Sequence, residues 1–232
     1  MGFKASLSDS SLFVKQDGVD VIILLLYVDD IILTGSSSQK VQKVITELAA
    51  VFELKDMGIL TYFLGLQVQY KVNGDIFVSQ FKYIKDLLHK VEMDSCKPAA
   101  TPCKPYNSLL LDEGGMLADP SLYQGLVGSL QYLTFTRLDI AFAVNSMCQF
   151  MASPTEMHFG AVKCILRFLQ GTMQHVITFL ANTELGITTF SDSDWAADLN
   201  TRRSVTVYVV YIGCNPVSWQ SKKQSSVSRS SA

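Results

Sequence analysis

Residues 21–33 read VIILLLYVDDIIL, the most apolar stretch of the chain, interrupted in its middle by Asp29 and Asp30. The stretch is too short to span a bilayer, which takes about 20 residues. Each aspartate would also cost roughly 2.5–3.5 kcal/mol at the centre of a membrane helix. The pattern predicts instead two buried strands, residues 21–28 and 31–33, joined by a tight hairpin across Asp29 and Asp30. Adjacent carboxylates between apolar strands repel each other and lose solvation. They are either plain turn residues, since Asp is a common turn former, or hard oxygen donors for a divalent metal that serves phosphoryl transfer.

Outward from this hairpin, the serines at 36–38 offer N-caps to a helix with apolar residues at Val41, Val44, Ile45, Leu48 and Phe52, ended by Gly58. Alternation follows, with Leu66, Val68 and Tyr70 opposing Gln67, Gln69 and Lys71. Asn73 and Gly74 then signal a type I′ turn into a strand at 76–78. Ser79 is placed to cap a helix through Tyr83, Ile84, Leu87, Leu88 and Val91. Pro98, Pro102 and Pro105 with Gly114 and Gly115 mark a linker. Residues 120–171 read helical, with one stripe at Leu122, Leu126, Val127, Leu130 and Leu133 and another at Ala161, Ile165, Phe168 and Leu169. Residues 176–180, 186–190, 205–212 and 217–220 are rich in β-branched and aromatic side chains and read as strands, followed by a polar tail.

The 232 residues are enough to bury a core. At 48% apolar, 17% charged and a net charge of −2, disorder and a histone-like basic binder are excluded as whole-chain readings. Charge is low against the usual ~25%, and mean hydropathy is +0.23. The chain therefore either touches a membrane or is a piece of something larger. The five cysteines, Cys96, Cys103, Cys148, Cys164 and Cys214, form no CxxC pair. His89, His158 and His175 stand at no ligand spacing, so reduced intracellular thiols are expected, with no zinc site and no disulfide framework. The first twenty residues lack a secretory h-region. Met1, Gly2 and Ser6 match an acylation pattern, but no basic patch or second lipid site accompanies them.

Tyr27, Val28, Asp29 and Asp30 together resemble the YxDD hairpin of reverse transcriptases. The likeness continues in order along the chain. LLLYVDDIILTG (24–35), LKDMGILTYFLGLQV (54–68) and QFKYIKDLLHKVEM (80–93) are similar to the palm hairpin, primer-grip region and start of the thumb in Ty1/copia-type retrotransposon Pol polyproteins. LVGSLQYLTFTRLDIAFAVN (126–145) and SPTEMHFGAVKCILRFLQGT (153–172) resemble that family's segment between polymerase and RNase H. TTFSDSDWAADLNTRRSVTVYVVYIG (188–213) and PVSWQSKKQSSVSRSSA (216–232) resemble the start of its RNase H domain.

The resemblance implies an α+β fold: a partial reverse-transcriptase palm with thumb over 1–95, a linker and helical connection over 96–175, and a truncated RNase H-like mixed sheet over 176–232. It implies Mg²⁺, with Mn²⁺ as the alternative, held by Asp29 and Asp30 in the polymerase part and by Asp192 in the RNase H part. Tyr27 and Val28 would lie near the primer end. Asp194 falls at a variable position, and Trp195 is expected to pack. Arg202, Arg203, Lys222 and Lys223 are candidates for phosphate contacts or for a solvated basic face. The implied partners are a primer–template, an RNA–DNA hybrid, dNTP and the rest of the Pol polyprotein, with no membrane. The implied location is intracellular, in a cytoplasmic particle or the nucleus.

The family's upstream metal-binding Asp, its fingers, and the later RNase H Glu and Asp ligands have no counterpart here. The isolated chain is therefore expected to lack both activities. Leu138 where the family usually has Pro, Cys164 for a basic residue, and Val207 and Ala197 for glycines suggest a decayed copy. The alternative is a non-catalytic nucleic-acid-binding or partner-binding remnant. An acylated peripheral protein is a third and weaker reading.

Overall fold

In the computed structural model, residues 2–104, 109–227 and 229 are described. Met1 of the acylation pattern, Pro105 of the linker and residues 230–232 of the tail lie outside them. The chain divides into two compact units, Met1–Leu60 and Thr61–Ala232.

The first unit is an antiparallel meander, β1 (Lys4–Ala5), β2 (Leu12–Asp17), β3 (Asp20–Tyr27) and β4 (Asp30–Gly35), paired in that order and followed by α1 (Ser38–Ala49). The register sets Phe13, Leu24 and Leu33 in one cross-strand row. Ile22 and Leu24 bury against Val44 and Leu48 of α1, with Phe3, Phe13, Ile31 and Leu33 around them. Fully burying side chains of this size contributes about 1.5–3 kcal/mol each. The helix ends at Ala49, nine residues before Gly58, so Phe52 lies beyond it and is exposed. Lys40 of α1 closes the unit at the β2–β3 turn, 3.1 Å from Asp17 and 3.0 Å from Asp20. The Ser36 hydroxyl, donating to Asp20, and the Lys40 ammonium hold that carboxyl below its ordinary range.

In the second unit, β5 (Tyr62–Phe63), β6 (Leu66–Tyr70), β7 (Ile76–Ser79) and β8 (Ile177–Phe179) form one antiparallel sheet in that order. The β6–β7 connection is longer than a two-residue I′ turn. Lys71 N–H donates to Asp75 O and Gly74 N–H to Lys71 O, a three-residue loop in which Gly74 takes φ +90°. That left-handed position after a tight turn is where glycine pays no steric penalty. β8 lies among residues that read as neighbours of the later strands, yet it pairs with β7, as Ile76↔Phe179 and Val78↔Ile177.

Five apolar surfaces converge on the main core: α2 (Phe81–Lys90), α3 (Ser121–Leu133), α4 (Ala141–Cys148, entered through one 3₁₀ turn, Leu138–Ile140), α5 (Glu156–Gly171) and the segment around Phe150. The α3 stripe keeps Leu126, Val127, Leu130 and Leu133 as read from the sequence and differs only at its first member. Leu122 is exposed and Tyr123 is fully buried, because the phenol finds a partner in the Met147 carbonyl at 2.8 Å. A second antiparallel sheet, in the order β11-β10-β9, consists of β9 (Ile187–Ser193), β10 (Val205–Ile212) and β11 (Asn215–Lys223). It is tied to the rest of the unit by the Trp219 indole N–H donating to Thr134 O at 2.8 Å, and by the Asn215 amide bracketing the Leu180 backbone.

α5 begins with a reciprocal cap. His158 N–H donates to Thr155 Oγ1, and Thr155 N–H donates to His158 Nδ1 at 3.0 Å. The ring stacks on Phe150 at 3.8 Å between centroids, and Nε2 lies 3.1 Å from Leu110 O. These partners demand a neutral imidazole with its proton on Nε2. Burial holds its pKa below the ordinary 6.5, against the opposing pull of the Leu110 carbonyl and Glu113. The protonated form thus favours the unfolded chain. Stability is expected to be complete above about pH 6.5 and to fall as pH drops below that value. Thermal melts between pH 8 and pH 5 check this, and His158→Asn should flatten the slope; an equal slope in the variant rejects the assignment.

Candidate active site at the β3–β4 hairpin

The hairpin predicted around the two aspartates forms, with its turn displaced by one residue. Tyr27 pairs with Asp30, so the two-residue loop is Val28 and Asp29, and Asp30 begins β4. Asp29 and Asp30 are both exposed, as are Leu26, Tyr27 and Val28. The desolvation expected of carboxylates between apolar strands is therefore not realised at this tip, and solvent screens their mutual repulsion. Val28 adopts φ +50°. A β-branched residue in the left-handed region is a true outlier, costing roughly 1–2 kcal/mol. Strain of this kind gathers at functional turns.

Carboxylate oxygens suit a hard divalent cation. In number the set falls short, because among the described residues no group of three or more His, Cys, Asp or Glu side chains is placed to hold a metal. Asp29 and Asp30 by themselves do not make a complete metal centre.

Asp192 lies in the second unit, on β9 opposite Val207. It is exposed, and its Oδ1 accepts from Ser193 N–H at 2.8 Å. It borders a shallow recess of about 250 Å³ with Phe142, Phe190, Tyr208 and Trp219. Asp194 serves the sheet instead, since its Oδ1 accepts from Val205 N–H at 2.9 Å and fastens the end of β9 to β10. Trp195, expected to pack, is 57% exposed.

Of the four candidate phosphate contacts, Lys223 is committed elsewhere. Its ammonium donates to Asp198 Oδ2 at 2.9 Å and to Gln149 Oε1 at 2.7 Å. Burial pushes the Asp198 carboxyl up, but the hydrogen bonds from Lys223 and Thr201 outweigh it and hold the group below its ordinary range. Arg202 and Lys222 are exposed and Arg203 is half-buried.

Sequence reading passed over two polar centres. In one, Arg137, 2% exposed, forks onto Asp139 at 2.9 and 2.7 Å and reaches Thr172 O and Oγ1 at 3.1 and 2.6 Å. The other is the His158 cap. Its only advance signal is the spacing Thr155-x-x-His158, a capping box with His in place of the usual Glu or Gln.

The YVDD residues thus stand at the exposed tip of an antiparallel hairpin inside a mixed α and β chain. Residues 1–105 match the family described as reverse transcriptase (RNA-dependent DNA polymerase). The chain is 46% identical over its full length to the retrovirus-related Pol polyprotein from transposon RE1 of Arabidopsis thaliana, and 35% identical over 90% of its length to that from transposon TNT 1-94 of Nicotiana tabacum. It is also 44% identical, over 90% of its own length and 86% of the other's, to an uncharacterised mitochondrial protein of Arabidopsis thaliana. The chain belongs to the reverse-transcriptase family of copia-type transposon Pol polyproteins. It spans 16% of the length of each of the two polyproteins. No solved structure matches it. Among the described residues no helix is long and apolar enough to cross a membrane.

Proposed function

We propose that this chain is the C-terminal part of a copia-type polymerase palm with its thumb (1–95), a helical connection (96–175) and the opening strands of an RNase H-like domain (176–232). It works as part of a larger Pol polyprotein on a primer–template and an RNA–DNA hybrid. The observation that supports this most is the Tyr27-Val28-Asp29-Asp30 tetrad at the exposed tip of a strained two-residue hairpin. In that setting Asp29 is a metal ligand, Asp30 supports it, and Tyr27 and Val28 face the primer end. Divalent ions, Mg²⁺ or Mn²⁺, would there activate the primer 3′-hydroxyl and neutralise the dNTP triphosphate. Asp192 is the corresponding first ligand of the RNase H part, with Arg202 and Lys222 as exposed phosphate contacts.

Two carboxylates cannot clamp both the attacking and the leaving oxygen, so activity needs donors from the rest of the polyprotein. The purified chain, given primer–template or hybrid, dNTPs and either metal, is expected to show neither primer extension nor hybrid cleavage. Either activity overturns the dependence on the remainder. The carboxylate assignment has a separate readout. Millimolar Mn²⁺ should broaden backbone amide NMR signals of residues 27–31, and Asp29→Asn with Asp30→Asn should abolish the effect. An unbroadened hairpin in the unaltered chain counts against it.

A further inference from the structure

Residues 94–104 run as a strap along α5. Gln170 Nε2 donates to Asp94 O, and Arg167 Nε donates to Lys97 O at 2.7 Å while Ala99 N–H donates to Arg167 O at 3.2 Å. One helical turn further back, Cys164 Sγ lies 3.7 Å from Thr101 O. The strap thus climbs α5 from its C-terminal end toward its N-terminal end, and two residues beyond Thr101 it presents Cys103. Cys103 and Cys164 are both half-buried, and both line one cavity of about 520 Å³ walled by Phe142, Met147 and Ile165. Burial, with a smaller contribution from the neighbouring Cys164, pushes the Cys103 thiol above its ordinary range.

We propose that Cys103 and Cys164 form a redox-modification site that a low-molecular-weight disulfide such as oxidised glutathione converts to an intramolecular disulfide. The Cys164 thiolate attacks one sulfur of glutathione disulfide, forming a mixed disulfide and expelling a glutathione thiolate. The Cys103 thiolate then attacks the Cys164 sulfur of that mixed disulfide and expels the second glutathione thiolate. The two thiols lose two protons and two electrons in total, and the oxidant becomes two molecules of glutathione. The bond replaces the weak contact of Cys164 with Thr101 O and pins the strap to α5 across the cavity wall.

The full chain, equilibrated across glutathione redox buffers and then alkylated, should take up two fewer alkyl groups after oxidation than before it and retain no glutathione. Peptide mapping should recover Cys103 joined to Cys164, with Cys96, Cys148 and Cys214 alkylated. Closing so long a loop should raise the melting temperature by roughly 5–10 °C, reversed by dithiothreitol. Cys103→Ser should stop the reaction at a single glutathione adduct on Cys164. Stable double glutathionylation in the unaltered chain, or pairing of either residue with another cysteine, overturns the proposal. That mapping requires no variant, so a misfolded substitution leaves it decisive.

Discussion

Asp139→Ala is expected to destabilise the second unit by roughly 3 kcal/mol, because it strands a buried guanidinium. Arg137 is 2% exposed, and the carboxylate of Asp139 compensates its charge through a fork at 2.9 and 2.7 Å. Thr172 contributes two neutral acceptors and Phe168 a ring face at 5.7 Å, neither of which cancels a full charge. Breaking a buried pair from one side costs about 3–5 kcal/mol. The low end applies because the Asp139 side chain is 34% exposed. Urea denaturation of the chain reads the loss directly. Replacing both partners, Arg137→Met with Asp139→Leu, should recover most of it, since no charge is then left unpaired. If the single variant loses less than about 1 kcal/mol, the pair is not what holds the α4 entrance to the end of α5.

Leu130→Ala is expected to cost about 3–4 kcal/mol. Leu130 is fully buried on α3, in the cluster shared by α2, α4 and α5. Deleting its side chain forfeits the transfer free energy of the methyl and methylene groups. It also leaves a cavity that helices held on several sides cannot collapse to fill. Leu24→Ala in the first unit is the useful contrast. That core has four buried residues and Leu24 itself is 9% exposed, so a loss nearer 2 kcal/mol is expected there. Equal shifts in urea midpoint for the two variants contradict this difference in packing.

These two centres also show what could be read from the chain in advance. The helices and most strands were legible because the spacing of apolar residues is local. Leu126, Val127, Leu130 and Leu133 form a buried stripe whatever else the chain does. The hairpin was legible for the same reason, but its phase was one residue off. Polarity marks Asp29 and Asp30 as the break, whereas the ladder pairs Tyr27 with Asp30 and leaves Val28 in the loop. Hydrogen-bond register carries no compositional signal. Partners distant in sequence were illegible altogether. Nothing near Lys223 announces Asp198 and Gln149, and nothing near Arg137 announces Thr172, 35 residues on. In the candidate site, the identity of the tetrad was plain from its residues. The left-handed backbone at Val28 was not, since β-branched side chains argue against that conformation.

The pairing of β7 with β8 sets a schedule for the growing chain. Ser79 and Ile177 are 98 positions apart, so at 5–20 residues per second the ribosome needs roughly 5–20 s to deliver the second strand after the first. Helix formation and local collapse take microseconds, and α2 to α5 therefore emerge and begin to pack while β7 still presents an open row of backbone donors and acceptors. The nascent chain spends that interval exposed to capture by any other edge it meets. The last strand of the sheet is in this sense a latch that closes late, and the yield of correctly folded protein should rise or fall with the speed of translation between the two.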